Sequence, residues 1–587
     1  MYKIISISFF LFIGLQTIQA QNLPPVFGKE YNGKVFNDHR VRSYLMPQRI
    51  VWKNDGGGRL LTNPEGLLAG GNNGQSDLTR KRNCVMRSNA QEKSAILLDF
   101  GKEIQGGLQI VTAMGKNTPV QIRVRFGESV SEAMSDIVGG QGATNDHAMR
   151  DFTMDLPWLG VAEIGNSGFR FARIDLLTEN VDLLIKEINA IFTYRDIPYT
   201  GSFRCNDERL NQIWMTGAYT VHLNMQEYVW DGIKRDRLVW LGDLHPEVMT
   251  ISSVFGFNDV VPKSLDLARD ITPLPQWMNG MCSYSLWWVI IQRDWYRYHG
   301  NLNYLREQRE YLTGLINILF TKVDETGKEK LGCNGFLDWP ASPNETGVSA
   351  GMQALMVITF RSAAELFTVL GDRATAEKCT QTAVLMQKYI PDHNRLKQAA
   401  ALMSIAGMIP AEQANNDVIR IGGPKGFSTF YGYYMLQAQA QAGDYQSALD
   451  NIRQYWGGML DMGATTFWED FDLDWTVNAA PIDELVPAGK KDIHADFGDY
   501  CYKNLRHSLC HGWASGPTAW LSEHVLGVQV VEPGCKVIRI EPHLGDLQWA
   551  EGAFPTPYGV VEISHKKGTD GKVTTTVKTP EGVQVLK

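Results

Sequence analysis

The sequence is short of several things. It has eight cysteines in 587 residues, and no two of them stand in a Cys-x-x-Cys pair, which removes the usual spacing of a zinc site. In a chain this long most of the eight suit buried free thiols, and no pairing can be read from their positions. There is no basic excess. Lys and Arg number 56 against 64 Asp and Glu, a formal net charge of -8, so the basic face of a nucleic-acid binder is absent. After the first twenty residues no apolar run reads as long enough to cross a bilayer. The hydrophobic share of 44% and charged share of 20% are those of a globular protein rather than a disordered one.

What is present begins with an address. Lys3 precedes an apolar run from Ile4 to Leu15, and Ala20 offers a small residue before Gln21. That is the pattern of a secretory signal over residues 1–20. The run is too short to span a membrane, so the expectation is export to a periplasm or the cell exterior.

From 21 to about 200 the chain is β-rich. Val120 to Phe126 and Gly107 to Thr112 alternate apolar with polar, and short strands between Gly and Asn turns predict a sandwich. The Gly-rich stretch from Asp55 to Gly74 reads as a surface loop, and no site is visible in this region. At about 201 the period changes to that of helices, with Asp207 or Asn206 as the first cap. A helix-Gly-cap-helix joint recurs at Gly300-Asn301, Gly371-Asp372 and Gly443-Asp444 at nearly equal intervals. Regular joints of this kind predict a ring or stack of helical hairpins over 201–525. From 526 to 587 β-branched, alternating runs return between turn signals, which predicts a small β-domain.

Two segments stand out chemically. Trp230 to Asp243 holds three carboxylates, three basic groups and two tryptophans; Gly463 to Asp470 sets Glu469 and Asp470 beside Phe467 and Trp468. Burying an ionised carboxylate is costly unless it is paired. One reading of the first segment is therefore a solvated loop neutralised by Lys234, Arg235 and Arg237. The other is that the two segments meet across a sugar-sized cleft, since sugars stack on aromatic rings and glycoside hydrolysis needs two carboxyls.

These segments, with Phe203 to Trp214, Gly335 to Trp339 and Ser508 to Trp513, resemble the inverting α-L-rhamnosidases of glycoside hydrolase family 78. The resemblance covers most of the chain after residue 20 and is densest from 201 to 565. It implies an (α/α)6 toroid carrying catalysis, flanked by an N-terminal β-sandwich and a small C-terminal β-sandwich. It also implies an exo-acting hydrolase of a glycan or glycoside, with no metal and no cofactor. The family's general acid falls on Asp236 and its general base on Glu469. The first is a departure, because the family has Glu there, and Asp is shorter by one methylene, roughly 1.5 Å of reach. Either the loop advances, or Glu247 a few residues on takes the role, or the activity differs. His511 matches the family's substrate-contacting His.

On physical grounds Asp231 and Asp243 suit either sugar hydroxyls or pairing with nearby arginines. Trp240, Trp339 and Trp468 suit either a sugar-stacking wall or ordinary core. His511 suits a hydroxyl contact or a satisfied structural role, and Asp338 beside Trp339 is a further sugar-binding candidate. His494, Asp496 and His507 are too loosely spaced for a metal site. For Asp236 to act as an acid, Arg235 and Arg237 should point elsewhere or pair with other acids. Two rival expectations remain: a hydrolase of the same fold acting on another sugar, and a carbohydrate-binding protein without catalysis. The oligomeric state is not legible.

Overall fold

The computed structural model describes residues 38–586 except 70–73, 77, 79–82, 116–117 and 138–141. The expected export signal lies outside the described residues. Arg40 to Lys587 forms one compact unit.

The first layer is a nine-stranded antiparallel sheet, counted among the described residues. Its backbone is the strand Ala95–Thr112, which pairs with Gly160–Leu176 on one edge and Asp182–Arg195 on the other. Val120–Gly127 alternates buried and exposed side chains over its first half, as its sequence predicts. The Gly-rich stretch is not simply a surface loop. Leu61–Thr62 joins the sheet, and Leu60, Leu61 and Leu67 are buried.

The second region is the helical ring. Among the described residues its inner helices are Leu244–Val254, Cys282–His299, Glu345–Val369, Lys397–Ile405, Gly432–Gln441 and Gly516–Trp520. Each packs on the next, and the last packs back on the first, so the ring closes. Between them run outer helices: Glu208–Asn224, Val260–Asp270, Leu302–Phe320, Arg373–Gln387, Ala411–Ala414 with its continuation Asn415–Ile419, and Tyr445–Asp461. Six inner and six outer helices make an (α/α)6 toroid. Glu345–Val369 is in fact long and apolar enough, by length and composition, to cross a membrane, contrary to the expectation that no later segment is. Its reason is the ring: a helix packed on several sides by others has no need of a polar face.

The three Gly-cap joints form as expected. Gly300, Gly371 and Gly443 take positive φ of 65, 78 and 75°, which glycine adopts without penalty. The side chains of Asn301, Asp372 and Asp444 then accept the N–H groups of Tyr304, Thr375 and Ser447. All three joints lie where an inner helix hands over to an outer one. The long connections lie at the opposite mouth, at the N-termini of the inner helices, and that mouth carries the two acidic segments.

The last region holds two sheets. Val528–Glu532, Val537–Ile540 and Gln584–Leu586 form one; Trp549–Thr556, Gly559–Lys567 and Val573–Lys578 form the other. The second gains a fourth strand from Ser202–Cys205, the segment that leads into the ring. The molecule is thus multidomain, with sheets at both ends of the sequence and the toroid between. At the ring's far mouth a cavity of about 580 Å³ is lined by Trp287, Arg293, Tyr434, Glu523 and Arg539, away from the converging loops.

Candidate active site

The acid segment closes on itself through Asp231. Its backbone N–H donates to Leu238 O at 3.0 Å and its Oδ1 accepts Leu238 N–H at 2.9 Å. Within that loop Asp236 and Arg237 both take left-handed backbone, with φ of 47 and 58°. Two consecutive non-glycine residues there cost on the order of 1–2 kcal/mol each, strain of the kind found at functional loops. The turn separates their side chains. Arg237 lies over the Trp230 ring at 4.6 Å and donates to Asn166 O at 3.0 Å, away from the acids as expected. Asp236 stays at the mouth, its Oδ2 accepting the Trp240 indole N–H at 3.2 Å.

Glu469 arrives from the segment after the last outer helix. Its backbone N–H donates to Ser508 O at 3.0 Å and its Oε2 accepts Ser508 N–H at 3.1 Å. Its Oε1 receives Arg235 Nη2. Nη1 of the same guanidinium lies 3.5 Å from Asp236 Oδ1. The two remote acids therefore meet across one arginine. For Arg235 the second alternative holds: it pairs with another acid, Glu469, while also lying near Asp236. The physical reason is burial, which forces a guanidinium to find a partner. Against that burial, Glu469 and Asp236 hold Arg235 firmly charged. A single guanidinium between them keeps the carboxyls no more than about 8 Å apart, a span that overlaps the roughly 6.5–9.5 Å of inverting glycosidases.

Aromatic rings complete the wall. Trp240 meets Tyr284 edge-on at 5.9 Å, and Tyr284 meets Phe336 at 6.2 Å. Phe336 meets Trp339 at 5.2 Å, and Trp339 meets Tyr502 at 6.3 Å. Tyr502 then lies under the Arg235 guanidinium at 5.8 Å. The chain of contacts runs from Asp236 through five rings back to Arg235. Trp240 and Trp339 thus both stand in this wall. The disulfide Cys282–Cys333 ties the start of an inner helix to the loop that carries Phe336 and Trp339.

Behind the wall sit further acids. Asp243 Oδ1 accepts His511 Nε2–H at 2.9 Å and Oδ2 accepts the Tyr284 hydroxyl at 3.2 Å. His511 Nδ1 is 4.0 Å from Glu469 Oε1, so His511 links the two acidic segments. Burial, then repulsion from Asp243 and Asp236, pushes Asp231 well above the ordinary carboxylate range. Glu247 is pushed up in the same way by burial, Asp243 and Asp231. It is sealed: its side chain lies under Gly512, where an added Cβ would fall 1.6 Å from Glu247 Oε1. Glu247 is 1% exposed, while the Asp236 side chain is 20% exposed.

Two candidates are placed differently. Trp468 is 1% exposed and packs edge-on against Phe471 and His507, so it stands behind Glu469 in the core. Both Asp338 oxygens are occupied: Oδ1 accepts from Ala341 N and Gln398 Nε2, and Oδ2 from Gln398 Nε2 and the Ser428 hydroxyl. Its carboxylate staples the loop under Trp339. Burial raises its pKa, opposed by Ser428 and Gln398.

The N-terminal sheet region, where the sequence shows no site, contributes directly. Lys234 is buried with its ammonium 2.9 Å from Glu128 and 3.3 Å from Glu132. It also donates to Leu505 O at 3.1 Å and His507 O at 2.6 Å. Glu128 Oε2 accepts Leu509 N–H at 2.6 Å. This holds the strip that presents Ser508 to Glu469 and His511 to Asp243. Glu128, Glu132 and His494 have metal-like spacing, but the Lys234 ammonium sits against both carboxylates where a cation would. From the same region His147 Nε2 comes within 3.4 Å of Asp236 Oδ1. The one local signal was the Ser129-x-x-Glu132 helix start, whose cap does form: Ser129 Oγ accepts Glu132 N–H.

Comparison with known proteins agrees with this fold. Residues 198–418 match the bacterial alpha-L-rhamnosidase 6 hairpin glycosidase domain, and 527–586 match the bacterial alpha-L-rhamnosidase C-terminal domain. An alpha-L-rhamnosidase of Alteromonas sp. (strain LOR) is 23% identical over 82% of this chain and 54% of its own. One of Formosa agariphila is 22% identical over 70% of this chain and 46% of its own. This chain therefore spans about half the length of the curated relatives it matches. Among solved structures, a family 78 rhamnosidase of Bacillus sp. GL1 superimposes with a TM-score of 0.71 at 21% identity, covering 89% of this chain and 55% of that one. A Klebsiella oxytoca rhamnosidase with rhamnose bound gives 0.64 at 21% identity, covering 83% and 96%. Two segments of the chain thus match domains of bacterial alpha-L-rhamnosidases, and its toroid is the fold of the solved rhamnosidases.

Proposed function

We propose that the protein is an exo-acting glycoside hydrolase that releases terminal α-L-rhamnose from a glycan or glycoside with inversion. The observation that carries this reading is the meeting of Asp236 and Glu469 across Arg235 inside a wall of aromatic rings. Asp236 is the acid that protonates the leaving oxygen. It is preferred to Glu247 because it is the one of the two that stands open at the mouth. Glu469 is the base. Arg235 and Ser508 N–H hold its two oxygens in place for taking a proton from water. Asp231, Asp243 and His511 form the floor, and Trp240 and Trp339 flank the sugar. The rhamnosidases of Klebsiella oxytoca and Streptomyces avermitilis that hold rhamnose support the choice of sugar. The chain needs no metal or cofactor for this mechanism.

Export to a periplasm or the cell exterior belongs to the same proposal. The signal-like start of the sequence supports it, as does one disulfide, which suits an oxidising compartment.

Aspartate at the acid position favours one second reading, a hydrolase of the same fold acting on a different sugar. Assay of a set of aryl glycosides decides between the two. Under the first reading the rhamnoside is turned over and β-L-rhamnose appears first by NMR. Glu469→Gln then lowers kcat about 10²–10⁴-fold on any rhamnoside, and Asp236→Asn does so on sugar leaving groups. Turnover of both variants at the parent rate rejects the assignment.

A further inference from the structure

A general acid stands between two spaces. One holds the sugar being released, and the other holds the group that leaves with the glycosidic oxygen. Around Asp236 these spaces are built by different parts of the chain. The aromatic wall reaches Asp236 through Trp240, at Oδ2. Residues 142–150 of the N-terminal sheet region bring His147 Nε2 to 3.4 Å from the other oxygen, Oδ1.

That segment is anchored. Asn145 Oδ1 accepts the N–H groups of Arg150 and Asp151, and Arg150 is buried with its guanidinium on Phe126 O and Glu132 O. Asp146 pairs with Arg506, whose Nη2 is 3.2 Å from His147 Nε2. Asp146 Oδ2 is 3.4 Å from the same nitrogen. His147 is thus held by the loop's own contacts as well as by Asp236.

Beside His147 runs an open groove of about 570 Å³ lined by Asn145, Met149, Phe152, Asn166 and Arg237, within the roughly 300–1,000 Å³ of small-molecule sites. Arg237 follows Asp236 in the chain and is turned into this groove by the left-handed pair described above. The lining mixes fixed polar groups (His147, Asn166, Arg237) with apolar surface at Phe152 and at Met149, which is 53% exposed. Polar groups set for hydroxyls beside an apolar shelf for a ring face are what a second sugar residue requires.

We propose that this groove is the leaving-group subsite, that it takes a glycosyl leaving group, and that His147 positions both that sugar and the Asp236 carboxyl. The inference rests on the rhamnosidase reading and adds the part of the substrate held mainly by the N-terminal region. It makes the N-terminal region a determinant of which rhamnosides are cut.

The test compares an α-L-rhamnosyl disaccharide with 4-nitrophenyl α-L-rhamnoside, whose leaving group departs with little help from an acid. His147→Ala should lower kcat/KM on the disaccharide about tenfold or more and change the aryl substrate less than about twofold. Met149→Ala, a change at an exposed position, should raise KM for the disaccharide about threefold with kcat intact. His147→Gln, which keeps a hydrogen-bonding side chain, should recover part of the loss. Equal losses on both substrates, or none on either, overturn the subsite. A parent enzyme inactive on every rhamnoside overturns the rhamnosidase reading, and the subsite with it.

Discussion

The two sheet regions at the ends of the sequence look alike in composition and are put to different use. Both pack on the toroid, but on opposite mouths. The N-terminal one meets the mouth with the long connections, through buried charge: Glu128, Glu132 and Lys234 join it to the 505–509 strip. The C-terminal one meets the ends of the inner helices. There Arg297 donates to Val530 O and Cys535 Sγ to Tyr298 O, while Gly534 sits against Gly300. Its principal ion pairs to the ring are half-exposed, as where Arg453 bridges Asp207 and Asp546. Burying a carboxylate–ammonium cluster is a poor way to gain stability. Among the described residues the cluster joins only the N-terminal region to the ring, where it holds the 505–509 strip in position.

The largest expected effect follows from breaking the buried cluster. Lys234→Ala removes the nearest counter-charge of two buried carboxyls, leaving only Arg150 at 3.9 Å from Glu132, and should cost about 3 kcal/mol, read by urea denaturation. A loss under about 1 kcal/mol would mean that the cluster does not join the two parts. The subtler change is Glu128→Gln, which keeps an acceptor for Leu509 N–H but weakens its hold on the strip. Because that strip aims Ser508 at Glu469 and His511 at Asp243, kcat should fall about tenfold, or ~1.4 kcal/mol of barrier, with KM little changed. The matched change on the other side is Arg453→Ala. Half-exposed pairs are worth about 1 kcal/mol or less after screening, so stability should drop slightly and kcat stay within about twofold. Equal effects of the two on kcat would erase the distinction between the two sheet regions.

That distinction was not legible in the sequence, although much else was. The helix joints at Gly300, Gly371 and Gly443 announce a ring because glycine and cap are local signals. They mark the far mouth, however, and the functional mouth is the one without such regularity. The acids were legible because carboxylates beside indoles are unusual wherever they fall. Their neighbours were read less well. Trp468 precedes Glu469, and Asp338 precedes Trp339. Adjacent residues in these irregular loops send their side chains to different places, so when one of a pair faces the cleft the other packs in the core. Glu128 and His147 were invisible for a different reason. Their partners stand 381 residues away at Leu509 and across the molecule at Asp236, and Glu128 looks like part of an ordinary helix start. That Arg235 would pair with another acid was legible, but which acid was not, because Glu469 stands 234 residues away.

The smallest effect separates the two regions by the sign of their response to pH. Burial, with Glu132 adding and Lys234 opposing, pushes Glu128 up to about 7, from an unfolded value near 4.3. A carboxyl raised on folding gives stability that is complete below the unfolded value and is lost as pH climbs through the folded one. His565, buried in the C-terminal sheet with Nε2 on Leu526 O and Nδ1 on Thr575 Oγ1, is lowered by burial. A histidine lowered on folding gives stability that is present above about 6.5 and is lost as pH falls below it. Buried histidines also lie beside Glu128: His494 is pushed down to about 4 by burial and Lys234, and His507 well down. The parent's own pH profile therefore mixes both signs, and single substitutions are needed to isolate each. Relative to the parent, Glu128→Gln should gain in Tm as pH rises from about 4.5 to 7, and His565→Gln should gain as pH falls below about 6.5, each by a few degrees at most. Two difference curves of the same slope would mean that Glu128 does not hold its proton through burial, and the N-terminal cluster would then be an ordinary ion pair.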